Sequence, residues 1–528
     1  MKKITNISFQ EISTIPKLIK DYLNGEIPAF REMLYTDEKL SGQIQKKKEN
    51  FSSEKRKTLS EVLKQQHQSL ELSEIQKKNL EKISEDNTFT VTTGHQLNLF
   101  TGPVFFIYKI LQTIKLAEDF KKLQPENHFI PVFWMATEDH DFEEINHFRT
   151  ETQFYEISGK SGGAVGRIVL DEVNFEEAFS QEFRDSVFGT ELILMMKKAY
   201  VKGKTLSEAT KILVHELFSE YGLLILDGDN ALLKVEMKTI FRDELLEEKL
   251  HLFSKEKVDF LKSQYGKAQV NPRKINLFYL SETRNRIEKS RDKYIVVDTE
   301  IAFSEEEILQ ELENFPERFS PNALLRPVYQ ESVLPNLCYI GGNAEVMYWL
   351  ELADYFKETG LVFPFLIPRN SMLFVSEKNL KKMEKEGLKI QDFFKDFASL
   401  TKGLLLENSQ VSKVLEEKEN LIKTNFLDLK NIASETDKTF GNMVSAEEAR
   451  QLKSFERMKK RLLRAEKIKQ SEKLERLETL FLSVHPLGNW QERIYNFSIF
   501  FQDEGKEWLR NCYQQMIAHK SELIIFSV

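Results

Sequence analysis

The stretch TFTVTTGHQLNLFTGPVFFIYKILQTIKLAEDFKKL, residues 88–123, decides the fold. Residues 88–93 are rich in β-branched side chains and predict a short buried strand. Pro103 suits the first position of a helix. The apolar residues that follow it at helical spacing are Ile107, Ile110, Leu111, Ile114 and Ala117. The predicted order is therefore strand, loop, helix.

A second strand is predicted in HFIPVFWMATEDHDFEEINHF, residues 128–148. Residues 129–136 are almost all apolar, which is typical of a strand that is covered on both faces. Two strands joined by a helix form a right-handed βαβ unit with parallel strands. The loops that begin near Gly94 and Thr137 should therefore meet at the same carboxyl-terminal edge of the sheet.

The alternation of strand and helix recurs along the chain. Further strands are predicted at residues 222–226, 337–340 and 362–368, with helical patterns between them. This order predicts an α/β fold with a doubly wound, mostly parallel sheet. We expect a core at residues 1–375 with insertions at about 150–220 and 251–320, and a C-terminal helix and strand at 496–528 that return to the core.

Residues 376–495 are expected to be helical. The stretch 411–480 has one Gly and no Pro, which favours long helices. The residues spaced by seven, as in a coiled coil, are Leu415, Ile422, Leu429, Thr436 and Met443. A break near residues 440–448, with Ser445 as the N-cap of a second helix, predicts an antiparallel hairpin. The alternative is a helical bundle packed on the core.

The composition excludes several classes of protein. The chain has 528 residues, with 75 Lys+Arg against 83 Asp+Glu and a net charge of −8. Its 40 Phe and 15 Tyr provide enough apolar surface for extensive cores, unlike a disordered chain. The slightly acidic balance gives no overall field for nucleic acid, and no uncharged apolar run approaches membrane-spanning length. We therefore expect neither a nucleic-acid partner nor a membrane.

Cys338 and Cys512 are the only cysteines. Two cysteines cannot form a disulfide framework or a cysteine-rich metal site, and their scarcity suits a reducing compartment. The first 35 residues contain no apolar stretch long enough for the core of a signal peptide. The expected location is the cytoplasm.

The loop after the first strand supplies the first candidate site residues. Gly94 permits close approach of a ligand to the backbone, and His95 and Gln96 can form hydrogen bonds or transfer protons. Thr101 and Gly102 precede a predicted helix N-terminus, which attracts anions. This loop is expected at the edge of the sheet where doubly wound folds bind ligands.

The second loop, residues 137–147, contains Glu138, His140, Asp141 and Asn146 among several acids. One interpretation is a metal site, but the spacing does not match HExxH or a closed zinc site, so we predict no tightly bound metal. A second is recognition of an amine or a ribose hydroxyl, with His140 as acid or base. A third is a capped helix start whose acids complement the helix dipole.

Later loops add further candidates. Gly341, Gly342, Asn343 and Glu345 open a predicted helix, where backbone N–H groups can hold a phosphate or a carboxylate. Arginines can bind such anions bidentately, although they can equally tie loops together, and a lysine in the first helix faces either the cleft or solvent. The remaining candidates are Lys109, Arg326, Gln330, Arg369 and Ser371.

Four blocks of the sequence resemble those of one enzyme family. They are TGHQLNLFTGPVFFIYK, PVFWMATEDHDFEEINH, LLRPVYQESVLPNLCYIGGNAEVMYWLEL and FLIPRNSM, in this order. The family is the cysteine-adding enzyme (cysteine ligase) of bacillithiol biosynthesis, and the resemblance extends over essentially the whole chain. It implies a Rossmann-like core with connecting-peptide insertions and a coiled coil that forms a homodimer.

The resemblance also implies the reaction. Cysteine would be added to the amino group of glucosaminyl-malate in the last step of bacillithiol biosynthesis. Because amide formation from a free carboxylate is uphill in water, we expect ATP to activate the carboxylate as an adenylate or an acyl phosphate. The core is distantly similar to class I aminoacyl-tRNA synthetases, but TGHQ stands in place of HIGH and PRNS in place of KMSKS. The chain also has no P-loop or GxGxxG motif.

These observations lead to a hypothesis for the site. His95 and Gln96, with the helix that starts at Pro103, would hold phosphates or developing charge, while Glu138 and Asp141 position the attacking amine. Asn146 would orient these carboxylates, and Arg326 or Arg369 would bind malate or nucleotide anions. Two alternatives stay open: a synthetase-like nucleotidyltransferase that acts on another amino acid or amine, and a non-catalytic coiled-coil scaffold.

Overall fold

The computed structural model describes residues 1–159, 161–171, 173–407 and 409–528. The chain divides into two compact units. The first comprises Met1–Gln10, Ile15–Phe374 and Trp490–Val528, and the second comprises Glu11–Thr14 and Val375–Asn489. In the described ranges, no helix is long and apolar enough to cross a membrane.

The described strands belong to four sheets. Their bounds are β1 Lys2–Ser8, β2 Thr88–His95, β3 His128–Met135, β4 His147–Arg149, β5 Phe154–Glu156, β6 Leu224–Asp227, β7 Leu277–Leu280, β8 Arg284–Ser290, β9 Lys293–Val296, β10 Ala302–Ser304, β11 Phe319–Pro321, β12 Asn336–Gly341, β13 Phe365–Pro368, β14 Ser371–Val375 and β15 Glu522–Ser527. The sheet orders are β13-β12-β2-β3-β6, β10-β9-β8-β7-β11, β1-β15-β14 and β4-β5.

Helices occur in both units. Those of the first unit are α1 Lys17–Leu23, α2 Asp37–Asn50, α3 Ser53–His67, α4 Glu74–Lys82, α5 Phe105–Leu123, α6 Phe142–Ile145, α7 Glu176–Phe183, α8 Gly189–Ala199, α9 Leu206–Phe218, α10 Ala231–Val235, α11 Lys238–Glu247, α12 Lys249–Tyr265, α13 Glu305–Asn314, α14 Arg326–Val333, α15 Asn343–Glu351 and α16 Ala353–Glu358. The second unit has α17 Glu377–Lys385, α18 Phe397–Leu406, α19 Gln410–Thr436, α20 Lys438–Lys469 and α21 Ser471–Val484. The first unit ends with α22 Gln491–Ile494, α23 Ser498–Glu504 and α24 Lys506–Gln515.

The five-stranded central sheet is parallel throughout, which confirms the predicted sheet type. Helix α5 packs against β2 and β3, while α2 packs against β12 and α3 against β6. Three threonines of β2, Thr90, Thr92 and Thr93, are tolerated in the interior because their hydroxyls donate hydrogen bonds. Thr92 Oγ1 donates to Asn336 Oδ1 at 2.9 Å, which joins β2 to β12 through side chains as well as backbone.

Strand β15 lies between β1 and β14, in a sheet separate from the central one. The predicted start of the helix after β2 was wrong. Helix α5 begins at Phe105, two residues after Pro103. Phe100 and Thr101 have positive φ angles of 47° and 68°, so the chain makes a tight turn where the helix was expected to start.

The segments predicted as insertions have different structures. The first contains the helices α7, α8 and α9, whose buried apolar residues extend the main apolar core. The second contains α12 and α13 and most of an antiparallel sheet built from β7 to β11. Its strand β8 carries Arg284, which reaches the cleft described below.

The second unit contains the long hairpin of α19 and α20. Lys430 of α19 is ion-paired with Glu448 of α20. Farther from the turn, Glu419 of α19 is ion-paired with Lys459 of α20. Because the pairs are farther from the turn on both helices, the helices are antiparallel. The predicted break at residues 440–448 was wrong. Helix α20 starts at Lys438 after the N-cap Asp437, and Ser445 lies inside it, donating to the carbonyl of Gly441. Asp437 provides the cap because its Oδ1 accepts from the Thr439 N–H.

A buried ion pair connects α2 to α14. Lys47 Nζ lies 3.2 Å from Glu331 Oε2, and the two side chains are 1% and 0% exposed. Glu331 Oε1 also accepts from Asn336 Nδ2 and Gln330 Nε2, at 2.7 and 3.0 Å. Since a buried charge is costly unless it is paired and hydrogen-bonded, each partner depends on the other.

We predict that Lys47→Met destabilises the first unit by about 3–5 kcal/mol, because it leaves the Glu331 carboxylate buried without its cation. The melting temperature measured by calorimetry should fall accordingly. The double variant Lys47→Met/Glu331→Gln removes both charges and should regain part of this loss. Lys77→Met, in the exposed pair with Glu74, is the control and should leave the melting temperature nearly unchanged. An unchanged melting temperature for Lys47→Met would contradict the prediction.

Candidate active site

A cleft of about 740 Å³ opens at the carboxyl ends of the central strands. His95 at the end of β2, Ala136 after β3 and Gly342 after β12 all line it. The predicted candidates that line it are Gly94, His95, Gln96, Lys109, Glu138, His140, Arg326, Gly342, Asn343, Glu345 and Arg369. The fold therefore brings together loops that are more than 200 residues apart in the chain.

Lys109 and Glu345 form an ion pair in the wall of the cleft. Lys109 Nζ lies 2.7 Å from Glu345 Oε2 and donates to the Gly94 carbonyl at 2.6 Å, and its side chain is only 2% exposed. Glu345 also accepts from the Gly342 N–H and the Tyr339 hydroxyl. Burial raises the pKa of the Glu345 carboxyl, but Lys109 more than offsets this and lowers it to about 2.

His95 is a neutral imidazole facing the cleft. Its pKa is lowered to about 3, first by burial and then by the positive charge of Lys109. The ring contacts those of Phe105 and Phe106, with centroids 5.2 and 5.3 Å away. Among the described residues, its Nε2 atom has no hydrogen-bond partner. A buried nitrogen without a partner is a candidate to contact a ligand.

Arg326 presents a guanidinium without a carboxylate partner in the described part of the chain. Its Nη1 donates to Gln330 Oε1 at 3.1 Å, and its Nη2 lies 3.4 Å from the Tyr348 hydroxyl. A Cβ atom at position 94 would lie 3.5 Å from Arg326 Nη1 and 3.3 Å from the Tyr339 hydroxyl, so Gly94 permits this close approach. Arg326 can therefore donate to an anion in the cleft.

The loop after β3 forms the opposite, acidic side of the cleft. Glu138 Oε1 is 2.5 Å from Nζ of the buried Lys234, which also donates to the Phe319 carbonyl. Burial raises the pKa of the Glu138 carboxyl, although Lys234 opposes this shift. A glutamate with a raised pKa is a better proton acceptor than an exposed one.

Asp139 organises the same loop. It accepts from Gln96 Nε2 and from the His140 N–H, both at 2.7 Å. Burial alone would raise the pKa of Asp139, but the hydrogen bonds from His140 and Gln96 lower it well below its usual range. Asp139 is therefore a carboxylate that holds the loops after β2 and β3 together.

Several contributors to the cleft were missed in the sequence. Arg284 Nη1 lies 2.9 Å from Nδ1 of His140, so this nitrogen accepts the hydrogen bond, and Arg284 Nη2 donates to the Pro321 carbonyl. Arg493 also lines the cleft. The other candidates were predicted because they follow strands of the central sheet, where doubly wound folds bind ligands. Neither arginine follows such a strand, so this rule does not predict them.

Some predicted site residues lie outside the cleft lining. Thr101 and Gly102 belong to the tight turn before α5, where Asn496 Nδ2 donates to the carbonyls of Phe100 and Gly102. Gln330 orients Arg326, because its Oε1 accepts a hydrogen bond from Arg326 Nη1. The other residues outside the lining are Asp141, Asn146, Gly341 and Ser371.

The contacts of these other residues explain their positions. Asp141 is exposed and caps α6 by accepting from the Glu144 N–H, as in the helix-start interpretation. Asn146 Oδ1 contacts His147 Nδ1. Ser371 donates to Glu492 Oε1, which is also 2.6 Å from Arg369 Nη2. Arg369 therefore lines the cleft but is already ion-paired.

The Gly342 N–H, predicted to hold an anion, already donates to the Glu345 carboxylate at the start of α15. Within the described ranges, no three His, Cys, Asp or Glu side chains are grouped so that they could hold a metal ion. The polar groups that remain available to a ligand thus include those of Arg326, His95, Arg493 and the acidic loop.

Comparisons with known proteins agree with this architecture. Residues 2–370 match the family model of the Bacillithiol biosynthesis BshC, N-terminal Rossmann-like domain, and residues 372–528 match that of the BshC C-terminal coiled-coil domain. The chain is 41% identical to "Putative cysteine ligase BshC" of Flavobacterium johnsoniae, over 95% of both chains. It is 40% identical to the protein of the same name from Christiangramia forsetii, over 97% of this chain and 96% of the relative. The predicted combination of a Rossmann-like domain and a coiled coil is thereby confirmed.

We predict that His95 makes the first unit sensitive to acid. Its folded pKa of about 3 lies below the ordinary 6.5, so between these values the unfolded chain binds a proton that the folded chain does not, and stability falls as the pH falls. At pH 5, protonation of His95 in the unfolded chain lowers the free energy of unfolding by about 2 kcal/mol. His95→Asn should therefore lose less thermal stability than the original protein between pH 7 and pH 5.

Melting temperatures at the two pH values measure this difference. His251→Asn, at a histidine outside the cleft lining, is the control and should keep the original acid sensitivity. If His95→Asn is as acid-sensitive as the original protein, the imidazole is not held neutral by its surroundings.

Proposed function

The chain belongs to the BshC family of bacillithiol biosynthesis, and from this premise we propose that it is a ligase that joins the carboxyl group of cysteine to the amino group of glucosaminyl-malate. This would be the last step of bacillithiol synthesis. The relatives are named as cysteine ligases, which supports the type of bond formed. The identity of the acceptor and the position of the step in the pathway are part of the proposal.

The observation that carries this proposal is the pairing of two chemical environments in one cleft. Arg326 offers donors to an anion, and Glu138 offers a buried carboxylate with a raised pKa. Amide formation needs both, because a carboxylate must be activated while an amine loses a proton. A cleft of about 740 Å³ lies in the size range of small-molecule sites.

We assign Glu138 as the proton acceptor for the attacking amine. A protonated amine has no lone pair for attack, so a nearby base is needed. Burial raises the pKa of Glu138, although the ion pair with Lys234 opposes this shift. The positioning role predicted for Asp141 suits Asp139 better, since Asp139 lines the cleft whereas Asp141 caps α6. Asn146 likewise lies outside the lining.

His95 would stabilise charge that develops at the reacting carbonyl. Because its pKa is about 3, the ring stays neutral at pH 7. It can therefore donate a hydrogen bond to the carbonyl oxygen as a neutral imidazole rather than as a charged imidazolium. Gln96 is committed to Asp139 and Glu144, so it acts by holding the loop rather than by direct contact with the carbonyl.

We propose ATP as the activating co-substrate. ATP would supply activation of the cysteine carboxylate by phosphoryl or nucleotidyl transfer. The fit rests on Arg326, which has donors available, whereas Lys109 is held by Glu345 and the Gly94 carbonyl. Arg369 contributes charge but is held by Glu492, which makes Arg326 the better candidate for direct anion contact.

We propose that the coiled coil forms a homodimer. Several apolar side chains of α19 remain exposed next to the face that packs on α20. The exposed residues Val411, Val414, Leu421, Leu429 and Ile432 lie within about 80° of one another at about 100° per residue. In contrast, Phe426, Ala433 and Val444 are buried inside the hairpin, with Ile422 packed against them. The exposed stripe is suited to a second copy of the chain.

Product analysis of the purified protein tests the proposed reaction. Cysteine, glucosaminyl-malate and ATP are supplied together and then each is omitted in turn. We expect bacillithiol only when all three are present. If bacillithiol forms when ATP is omitted, ATP is not the activating co-substrate. ATP–pyrophosphate exchange without glucosaminyl-malate and without amide product would instead favour the nucleotidyltransferase alternative.

In this assay we predict that His95→Ala lowers kcat by about 10²–10³-fold, because it removes a hydrogen bond formed to developing charge. The variant should remain folded by circular dichroism. His251→Ala is the control and should keep the original rate. Undiminished bacillithiol formation by His95→Ala would refute the assigned role.

For the dimer we predict that Leu429→Asp/Ile432→Asp yields monomers, since it places two charges in the exposed stripe. Leu427, also exposed, lies on roughly the opposite side of α19 and provides the matched control, Leu427→Asp. Light scattering should give twice the chain mass for the original protein and the control, and a single mass for the double variant. A monomeric original protein, or an unchanged mass of the double variant, would contradict the proposal.

A further inference from the structure

A second, smaller pocket adjoins the cleft in the first unit. Its volume is about 160 Å³, and it shares Glu144 and Arg493 with the cleft. We call it the side pocket; its other polar walls come from Asn98, His147 and Arg149. The side pocket and the cleft are therefore adjacent at these two residues.

Strand alternation explains two of the side pocket's walls. In β4, His147 and Arg149 point to one face, while Phe148 between them points to the other. Phe148 is buried against Phe100 and Tyr155, with ring centroids 5.5 and 4.8 Å away. The apolar side of β4 thus anchors the strand in the core, and its polar side is left facing the pocket.

Phe154 holds the two polar groups next to each other. It is paired with Arg149 across the β4–β5 ladder. The Arg149 guanidinium lies 5.1 Å from the Phe154 ring centroid, and the His147 ring is also 5.1 Å away. Stacking on an aromatic ring positions a guanidinium while leaving its N–H groups available.

Arg493 supplies the second guanidinium. Its neighbour Glu492 is committed to Arg369, at 2.6 Å, and so does not neutralise Arg493. Arg369 and Arg493 both lie against the Phe105 ring, 4.7 and 5.8 Å from its centroid. In the part of the chain that the structure describes, neither Arg493 nor Arg149 takes part in an ion pair.

The balance of charge in the side pocket is positive. Two guanidinium groups face one carboxylate, that of Glu144, which already accepts from Gln96 Nε2 at 2.8 Å. Arginine binds carboxylate and phosphate groups through two parallel hydrogen bonds. The small volume suits one such group with a few neighbouring atoms rather than a whole nucleotide.

We propose that the side pocket binds a carboxylate or phosphate group of a ligand that reacts in the cleft, with Arg149 and Arg493 as its contacts. This inference rests on the proposed function, in which the acceptor carries two carboxylates on its malyl group and the co-substrate carries phosphates. Arg326 then holds one anionic group within the cleft, and the side pocket holds another. The two contacts fix the orientation of the ligand.

Calorimetric titration of the full chain with L-malate, inorganic phosphate and ATP in separate experiments tests the side pocket. Arg149→Gln and Arg493→Gln should each weaken binding of the anion that uses the pocket at least tenfold. If the affinity for malate falls, the acceptor is the source of the anionic group. If the affinity for phosphate or ATP falls, the nucleotide is the source. Arg149→Lys retains the charge but not the planar fork, so its loss should be intermediate.

Arg184→Gln is the matched control, because Arg184 is exposed and pairs only with the exposed Asp185 among the described residues. It should bind every probe as the original protein does. Unchanged affinities in both Arg149→Gln and Arg493→Gln, or no binding of any probe to the original protein, would overturn the proposal. Melting temperatures confirm that the variants are folded.

Steady-state kinetics separate this proposal from the proposed function. Arg149→Gln should raise KM at least tenfold for the ligand that loses affinity, in parallel with the loss of binding measured by calorimetry. If product forms but this variant changes neither KM nor affinity, the side-pocket proposal fails and the function stands. If no product forms but binding still depends on Arg149, the function fails and the side pocket stands.

Discussion

The buried ion pair of Lys109 with Glu345 is the interaction on which the cleft depends. It connects α5, which follows β2, to α15, which follows β12, across the carboxyl edge of the central sheet. An unpaired charge in this position would cost several kcal/mol. Here the charges satisfy each other and also bond to the Gly94 carbonyl and the Gly342 N–H, so they hold the ends of two strands at fixed distances.

The same pair determines the electrostatics of the cleft. Lys109 lowers the pKa of Glu345 and contributes to the lowered pKa of His95, so one carboxylate stays ionised and one imidazole stays neutral. Because Glu345 is satisfied by Lys109, it does not neutralise Arg326. The cationic side of the cleft therefore keeps donors for an anion, while the acidic side balances Glu138 with the buried Lys234.

Much of this arrangement could be predicted from local patterns. The β-branched and apolar runs predicted β2 and β3, and the parallel βαβ rule placed His95 and Glu138 at one edge of the sheet. The start of α5 and the turn before α20 were mispredicted. Pro103 favours a helix start, but the carbonyls of Phe100 and Gly102 are bonded to Asn496, which holds the chain in a turn. Asp437 was overlooked because Ser445 matched the same capping pattern.

The sequence by itself determined the order of strands and helices, the loops that border the cleft, the coiled-coil segment and the family, because these depend on local periodicity and on contiguous motifs. Only the tertiary structure decided which polar side chains are free and which are already paired. Arg326 and Arg369 look equivalent in the sequence, yet Glu492 pairs with Arg369 alone. Arg284 reaches His140 from another sheet. Hydrogen bonds and ion pairs join residues that are distant along the chain, so the availability of a group is a property of the folded protein.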